Sequence, residues 1–182
     1  MKKWIIRVVV GFFLLIALFF GVLYVVSGGA KGKGYHEAKI EINKPAAAVF
    51  PWLTEPAKQK QWIFGLAEVK PLTEGDLRVG ARSQETMVIG EEQTVMVSEV
   101  IELDPGKRMV VKITSPGFDG QIRYVLDEAG ASSTLRYIGD FQYKPFMLRL
   151  LEPLVTPSAQ RKLEGDLMKL KAEVEASQSA DG

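Results

Sequence analysis

Residues 45–62 read PAAAVFPWLTEPAKQKQW and hold three prolines and two of the chain's three tryptophans. Proline is accepted at the first turn of a helix and resisted inside one. The stretch therefore reads as two very short helices, the first starting at Pro45 and the second capped by Thr54. Pro51 falls within the first and disturbs its regularity. Two rings as large as Trp52 and Trp62 on such short helices need a surface to fill.

The flanking sequence supplies one. A strand, HEAKIEIN, precedes the stretch, and five or six β-segments follow it, divided by the turn signals LTEGD, VIGEEQ, DPGK, SPGFDG and DEAGASS. The chain ends in a helix-forming segment with Leu163, Leu167, Leu170 and Val174 on one stripe. The order β–αα–β(five or six)–α predicts an α+β fold with one antiparallel sheet and one long C-terminal helix.

Residues paired across a hairpin share a sheet face, so the faces can be followed from strand to strand. A two-residue turn after Val88 and Ile89 sets Glu85 and Met87 with Met96 and Ser98. A four-residue loop at DPGK adds Val100, Val111 and Ile113. Ile122 and Tyr124 follow, then Leu135, Tyr137, Gly139 and Phe141. The other face carries Arg82, Gln84, Glu99, Lys112, Gln121, Arg123, Arg136, Asp140 and Gln142. One face is apolar and aromatic, the other charged. The C-terminal helix must cover the first, because an exposed apolar face of that size aggregates. Its entry, YKPFMLRLLEPLVTP, contains Pro145, Pro153 and Pro157, which predicts an interrupted helix carrying Phe146, Leu150, Leu151 and Leu154. Such a loosely closed end suits a cavity. A filled core with an irregular helix entry is the alternative.

Residues 8–26, VVVGFFLLIALFFGVLYVV, contain no charge, and as a helix would extend about 28 Å, enough to cross a hydrocarbon core. The run exceeds the usual signal-peptide core and reads as an anchor. Small residues at 27–30 leave cleavage as the alternative. Lys2, Lys3 and Arg7 precede the span, and Lys31 and Lys33 follow it, a weak bias toward a cytoplasmic N-terminus and an outward-facing, periplasmic domain on a bacterial inner membrane. The divisions expected are a basic segment at 1–7, the span at 8–26, a flexible Gly/Lys linker at 27–35, one domain at 36–176 and a frayed tail at 177–182. GGAKGKG at 28–34 fails as a phosphate loop: Ser27 stands where a glycine is required, and Gly34 where serine or threonine is. A net charge of +1 argues against nucleic-acid binding. With no cysteine and one histidine there is no thiolate metal site, no cysteine nucleophile and no expected cofactor.

The segments IEINKPAAAVFPWLTEPAKQKQW, LTEGDLRVGAR, VIELDPGKRMV and LEGDLMKLKAEVE together resemble the START-like superfamily, the helix-grip fold also called SRPBCC or polyketide cyclase/dehydrase-like. The likeness spans about 36–176, with Glu55 where aspartate is common. It implies a sheet wrapped around the C-terminal helix, with the two short helices forming a V that cradles it. Trp52 and Trp62 would fill the V. The superfamily includes lipid carriers, hormone receptors, cyclases, chaperone activators and oxygenase domains, so the likeness fixes fold far better than function.

The polar groups expected on the concave face are Ser83, Glu85, Thr94, Ser98, Ser115, Tyr124, Tyr137 and Tyr143. Glu85 is the one carboxylate among them, and burial would raise its pKa. His36 is expected before the first strand, exposed or partly packed, with no triad partners in view. The alternating charges of KLEGDLMKLKAEVEA read as a solvated helix face. These residues lead to a membrane-tethered module for a small hydrophobic molecule resembling a lipid, quinone or polyketide. Its expected contacts are Trp62, Glu85, Met87, Met96, Ser98, Val111, Ile113, Tyr124, Tyr137 and Phe141, with entry past Phe146, Leu150 and Leu154. A cyclase or hydratase using Glu85 and Tyr124 as acid and base is the second reading. A protein-interaction module with a filled core, its partner unspecified, is the third.

Overall fold

The computed structural model describes residues 2–177; the expected tail lies, past Ser177, outside the described residues. The elements are α1 (Lys2–Val26), β1 (Lys33–Ile42), α2 (Ala46–Thr54), α3 (Pro56–Trp62), β2 (Leu66–Pro71), β3 (Arg82–Ile89), β4 (Glu92–Asp104), β5 (Arg108–Thr114), β6 (Phe118–Ala129), β7 (Ser132–Tyr143) and α4 (Phe146–Ala176). One antiparallel seven-stranded sheet runs β1-β7-β6-β5-β4-β3-β2 and curls around α4, the helix-grip fold. Pro71 ends edge strand β2, where its missing N–H breaks no ladder.

The register reproduces the expected faces by a different route. Val100 faces Val111 and Ser98 faces Ile113. The β4–β5 connection, however, is only residues 105–107, and a bulge follows Val100, so that Glu102 opposes Val110. A loop one residue shorter and a bulge one residue longer cancel, and side-chain parity survives. On the outer face, Arg82–Glu99, Arg123–Asp140 and Arg136–Asp127 pair as exposed ion pairs, each worth little individually.

The core joins Ile42, Val49, Leu53, Leu126 and Leu135 to the α4 stripe of Leu163, Leu167, Leu170 and Val174. Three features of the helices differ from expectation. α4 is continuous through Pro153 and Pro157 rather than interrupted. Thr54 does not cap α3: its hydroxyl donates back to the Phe50 carbonyl at 3.2 Å, inside its own helix. The segment after α1 is a hydrogen-bonded turn, with Ser27 Oγ accepting from the Ala30 N–H at 3.0 Å, and β1 begins at Lys33 rather than near residue 36.

The two tryptophans solve a problem at the end of α2. The last carbonyls of a helix lack intrahelical partners. Here the Trp52 carbonyl accepts from the Trp62 indole Nε1–H at 2.8 Å, and the Leu53 carbonyl from Gln59 Nε2 at 2.7 Å. Side chains of α3 thus close α2 and fix the V between them, while both rings are buried in the core. Trp62→Phe keeps most of the apolar area but strands a buried carbonyl, and should cost about 1–3 kcal/mol in denaturant unfolding. An unchanged midpoint would mean that the indole bond contributes nothing.

Candidate functional site

Between the concave face of the sheet and the α3–α4 roof lies a cavity of about 400 Å³. Its floor is the inward parity of the strands: Met87, Met96, Val111, Ile113, Tyr124, Tyr137 and Phe141. Its roof includes Trp62, Ala159 and Leu163. Small residues keep it open. Ala159 is the roof residue one turn before Leu163, and two glycines, Gly120 and Gly139, lie under the Phe141 ring. A Cβ at Gly120 would come within 2.5 Å of that ring, and one at Gly139 within 2.7 Å. Glycine at both sites lets the ring lie low across the sheet. Phe141 then forms an aromatic end wall with Phe118 and His36, ring centroids 5.6 and 5.7 Å away.

Of the expected contacts, Trp62, Glu85, Met87, Met96, Val111, Ile113, Tyr124, Tyr137 and Phe141 line this one space. Ser98 does not: it sits with Glu85 on an adjoining recess of about 70 Å³. Phe146, Leu150 and Leu154 are also elsewhere. Leu150 is buried against Leu23 and Ala30, while Phe146 and Leu154 face outward. They lie on the part of α4 that meets α1, outside the lining of the cavity, whose roof is formed further along the helix.

Three polar residues at the cavity have placements that differ from expectation. His36 lies within β1, opposite Gly139, and is buried. It shares the parity of Ile40 and Ile42, and that alternation was the signal for its inward position. Burial pushes its pKa down, against a hydrogen bond with Gln160 and the field of Glu152, so the ring is held neutral. Lys162 and Asp166, expected on a solvated face, border the cavity instead. Asp166 Oδ2 accepts from Lys162 Nζ at 2.6 Å, and its Oδ1 from the Phe64 N–H at 3.1 Å. The ammonium also lies 5.9 Å from the Phe64 ring. One carboxylate thus ties α4 to the α3–β2 connection at the cavity's edge.

Burial raises the Glu85 carboxyl above its ordinary range, opposed by a hydrogen bond from Ser98. Burial likewise pushes both Tyr124 and Tyr137 up, helped by Tyr137 in the first case and by Asp166 and Glu85 in both. The two rings meet edge to face at 5.5 Å. The two phenols, and the Glu85 carboxyl when it is protonated, offer O–H donors to an acceptor oxygen inside a largely apolar enclosure.

A sheet gripping one long helix over such a cavity defines the helix-grip class. Residues 36–175 match the polyketide cyclase/dehydrase and lipid transport family, and the chain belongs to it. Its fold is shared with the Zhui aromatase/cyclase from Streptomyces sp. R1128, at 19% identity and TM-score 0.67 over 82% of this chain and 98% of that one. A conserved protein from Geobacillus kaustophilus aligns at 14% identity and TM-score 0.68, covering 79% and 96% of the two chains. A protein from Thermus thermophilus aligns at 19% identity and TM-score 0.65, over 79% and 99%. No curated protein matches in sequence.

The raised Glu85 carboxyl has a consequence for pH. The unfolded chain loses this proton near the ordinary value of 4.5, before the folded chain does. In that interval the folded state binds more protons, so stability falls as pH rises above 4.5 and levels off once the folded carboxyl ionises. Glu85→Gln should therefore raise Tm at neutral pH, with the gain shrinking toward pH 4.5. A Tm difference independent of pH would show that the carboxyl ionises freely.

Proposed function

We propose that this protein is a membrane-tethered binding module that buries a small hydrophobic molecule bearing an acceptor oxygen, of lipid, quinone or polyketide type. The observation that carries the reading is the largely apolar cavity of about 400 Å³ with Tyr124, Tyr137 and Glu85 in its lining. A volume of that order holds a ligand of drug-like size. Burial of apolar surface supplies affinity, about 25 cal/mol per Å², and the O–H donors set orientation. Residues 8–26 supply the tether: the helix covering Lys3–Val26 is long and apolar enough to cross a membrane. Lys2, Lys3 and Arg7 before the span, set against Lys31 and Lys33 after it, weakly favour a cytoplasmic N-terminus with the domain outward, on the periplasmic side. Tethering holds the cavity at high local concentration beside apolar ligands.

A catalytic reading is favoured by one observation, the raised Glu85 carboxyl in the same enclosure as Tyr124. The aromatase/cyclase activity named for the Streptomyces structural relative agrees with it in kind. In that reading Glu85 and Tyr124 donate and accept protons on a bound carbonyl compound. Glu85→Gln separates the two: a binder retains its ligand, whereas a cyclase loses turnover.

Native mass spectrometry of the full chain, gently extracted from its own membrane, tests the binding reading. A defined extra mass should be present, and Tyr137→Asp should abolish it by placing a charge in the cavity. Met96→Trp, which fills the space without adding charge, should also abolish it in a chain whose circular dichroism is native. A bare mass, with added lipids and quinones also failing to bind, would overturn the reading.

A further inference from the structure

The start of α4 carries an apolar face that the cavity does not use. At about 100° per residue, Met147, Leu148, Leu151, Leu154 and Val155 fall within an arc of about 120°. No charged residue lies in that arc; Arg149 and Glu152 fall outside it. Leu151 is half-buried, whereas Met147 and Leu154 remain 50% and 56% exposed. Soluble domains rarely leave such a stripe uncovered.

The place where this stripe meets α1 identifies what covers it. Leu150 is buried together with Leu23, from the last turn of α1, and with Ala30, and Leu151 packs on the same cluster. The contact is tightly built. Gly32, at φ +66°, runs so close to Arg149 that a Cβ there would fall 2.3 Å from its Cγ. Ala30 is held at φ 54°, with its N–H bonded to Ser27 Oγ. Met147 and Leu154 are about one turn to either side of the α1 contact on the same stripe. Wherever the end of α1 leaves a bilayer, these two side chains lie beside it. Lys31 and Lys33, both exposed, follow at the level where lysines meet anionic headgroups.

We propose that the first turns of α4 lie in the membrane interface, with Met147, Leu151 and Leu154 dipping into the acyl boundary next to α1, so that the domain rests on the bilayer rather than swinging above it. This inference rests on α1 crossing the membrane. A helix with one apolar face and a polar remainder is suited to lie in that plane. Pro153 and Pro157 are compatible with it, because the interface holds water for the carbonyls they leave unbonded.

The chain has no cysteine, so single spin labels can be placed without background. Full-length protein is reconstituted in vesicles of phosphatidylethanolamine and phosphatidylglycerol with one label at Met147→Cys, Leu154→Cys, Leu14→Cys or Met168→Cys. Leu14 lies mid-way along α1, and Met168 is 68% exposed further along α4. Power saturation then compares collisions with oxygen, which concentrates in lipid, and with a water-soluble nickel complex. The expected result is loss of nickel collisions and gain of oxygen collisions at 147 and 154 relative to 168. If 147 and 154 match 168 while the label at 14 is oxygen-rich, the anchor stands and the interfacial helix is overturned. If the label at 14 meets nickel freely, the anchor fails and the inference with it. Dipolar coupling between labels on separate chains, with both reagents excluded, would assign the face to a second copy and overturn the inference as well.

Discussion

The indole N–H of Trp62 bonded to the Trp52 carbonyl is the constraint from which the rest of the domain follows. A helix as short as α2 has little cooperative stability of its own and ends in unpaired carbonyls. Closing it with side chains from α3 makes the two helices one rigid V, whose inner surface joins the α4 stripe in a common core. Because Trp62 also lines the cavity, the same side chain that ends α2 bounds the space above the sheet. The prolines of the opening stretch assist rather than cause this arrangement. Pro45 and Pro56 flank helix starts, and Pro51 is carried inside α2.

Strand parity was legible in the sequence because it is local. Alternation along β3 to β7 separates aromatic and charged faces, and only an odd change in loop length can reverse it. The missing residue at the β4–β5 turn and the extra one after Val100 show how a wrong detail can preserve a right face. The cavity floor was readable for the same reason. The roof was not, because which side of α4 turns toward the sheet depends on how the helix crosses it. Lys162 and Asp166 satisfy every local criterion for a solvated i,i+4 pair, yet border the cavity. His36 was misplaced by starting the strand too late, although its parity with Ile40 pointed inward. Ser98 shares the inward parity but falls beyond the wall, in the adjoining recess.

The entry to α4 shows the other limit of sequence reasoning. Three prolines within residues 145–157 argue for a broken, mobile segment, and local propensity offers no counterweight. What holds Leu150 is Leu23, more than a hundred residues away in the chain, and no periodicity links the two. A long-range contact overrides a local preference here, as tertiary packing commonly does.

α4 therefore serves three surroundings along its length. Its last turns, from Leu163 to Val174, are buried in the core and fix the helix to the domain. Its middle, near Ala159 and Lys162, roofs the cavity with one small and one charged residue. Its first turns meet α1. Pro153 and Pro157 lie between the first turns and the middle, and each lacks the N–H that would bond the preceding turn. The ladder is thus thinnest where the helix passes from its contact with α1 to the cavity roof. Local opening requires few buried contacts and few backbone bonds, and that segment has the fewest donors of the helix. A disturbance at the α1 contact would be absorbed there before reaching the cavity roof and the core stripe.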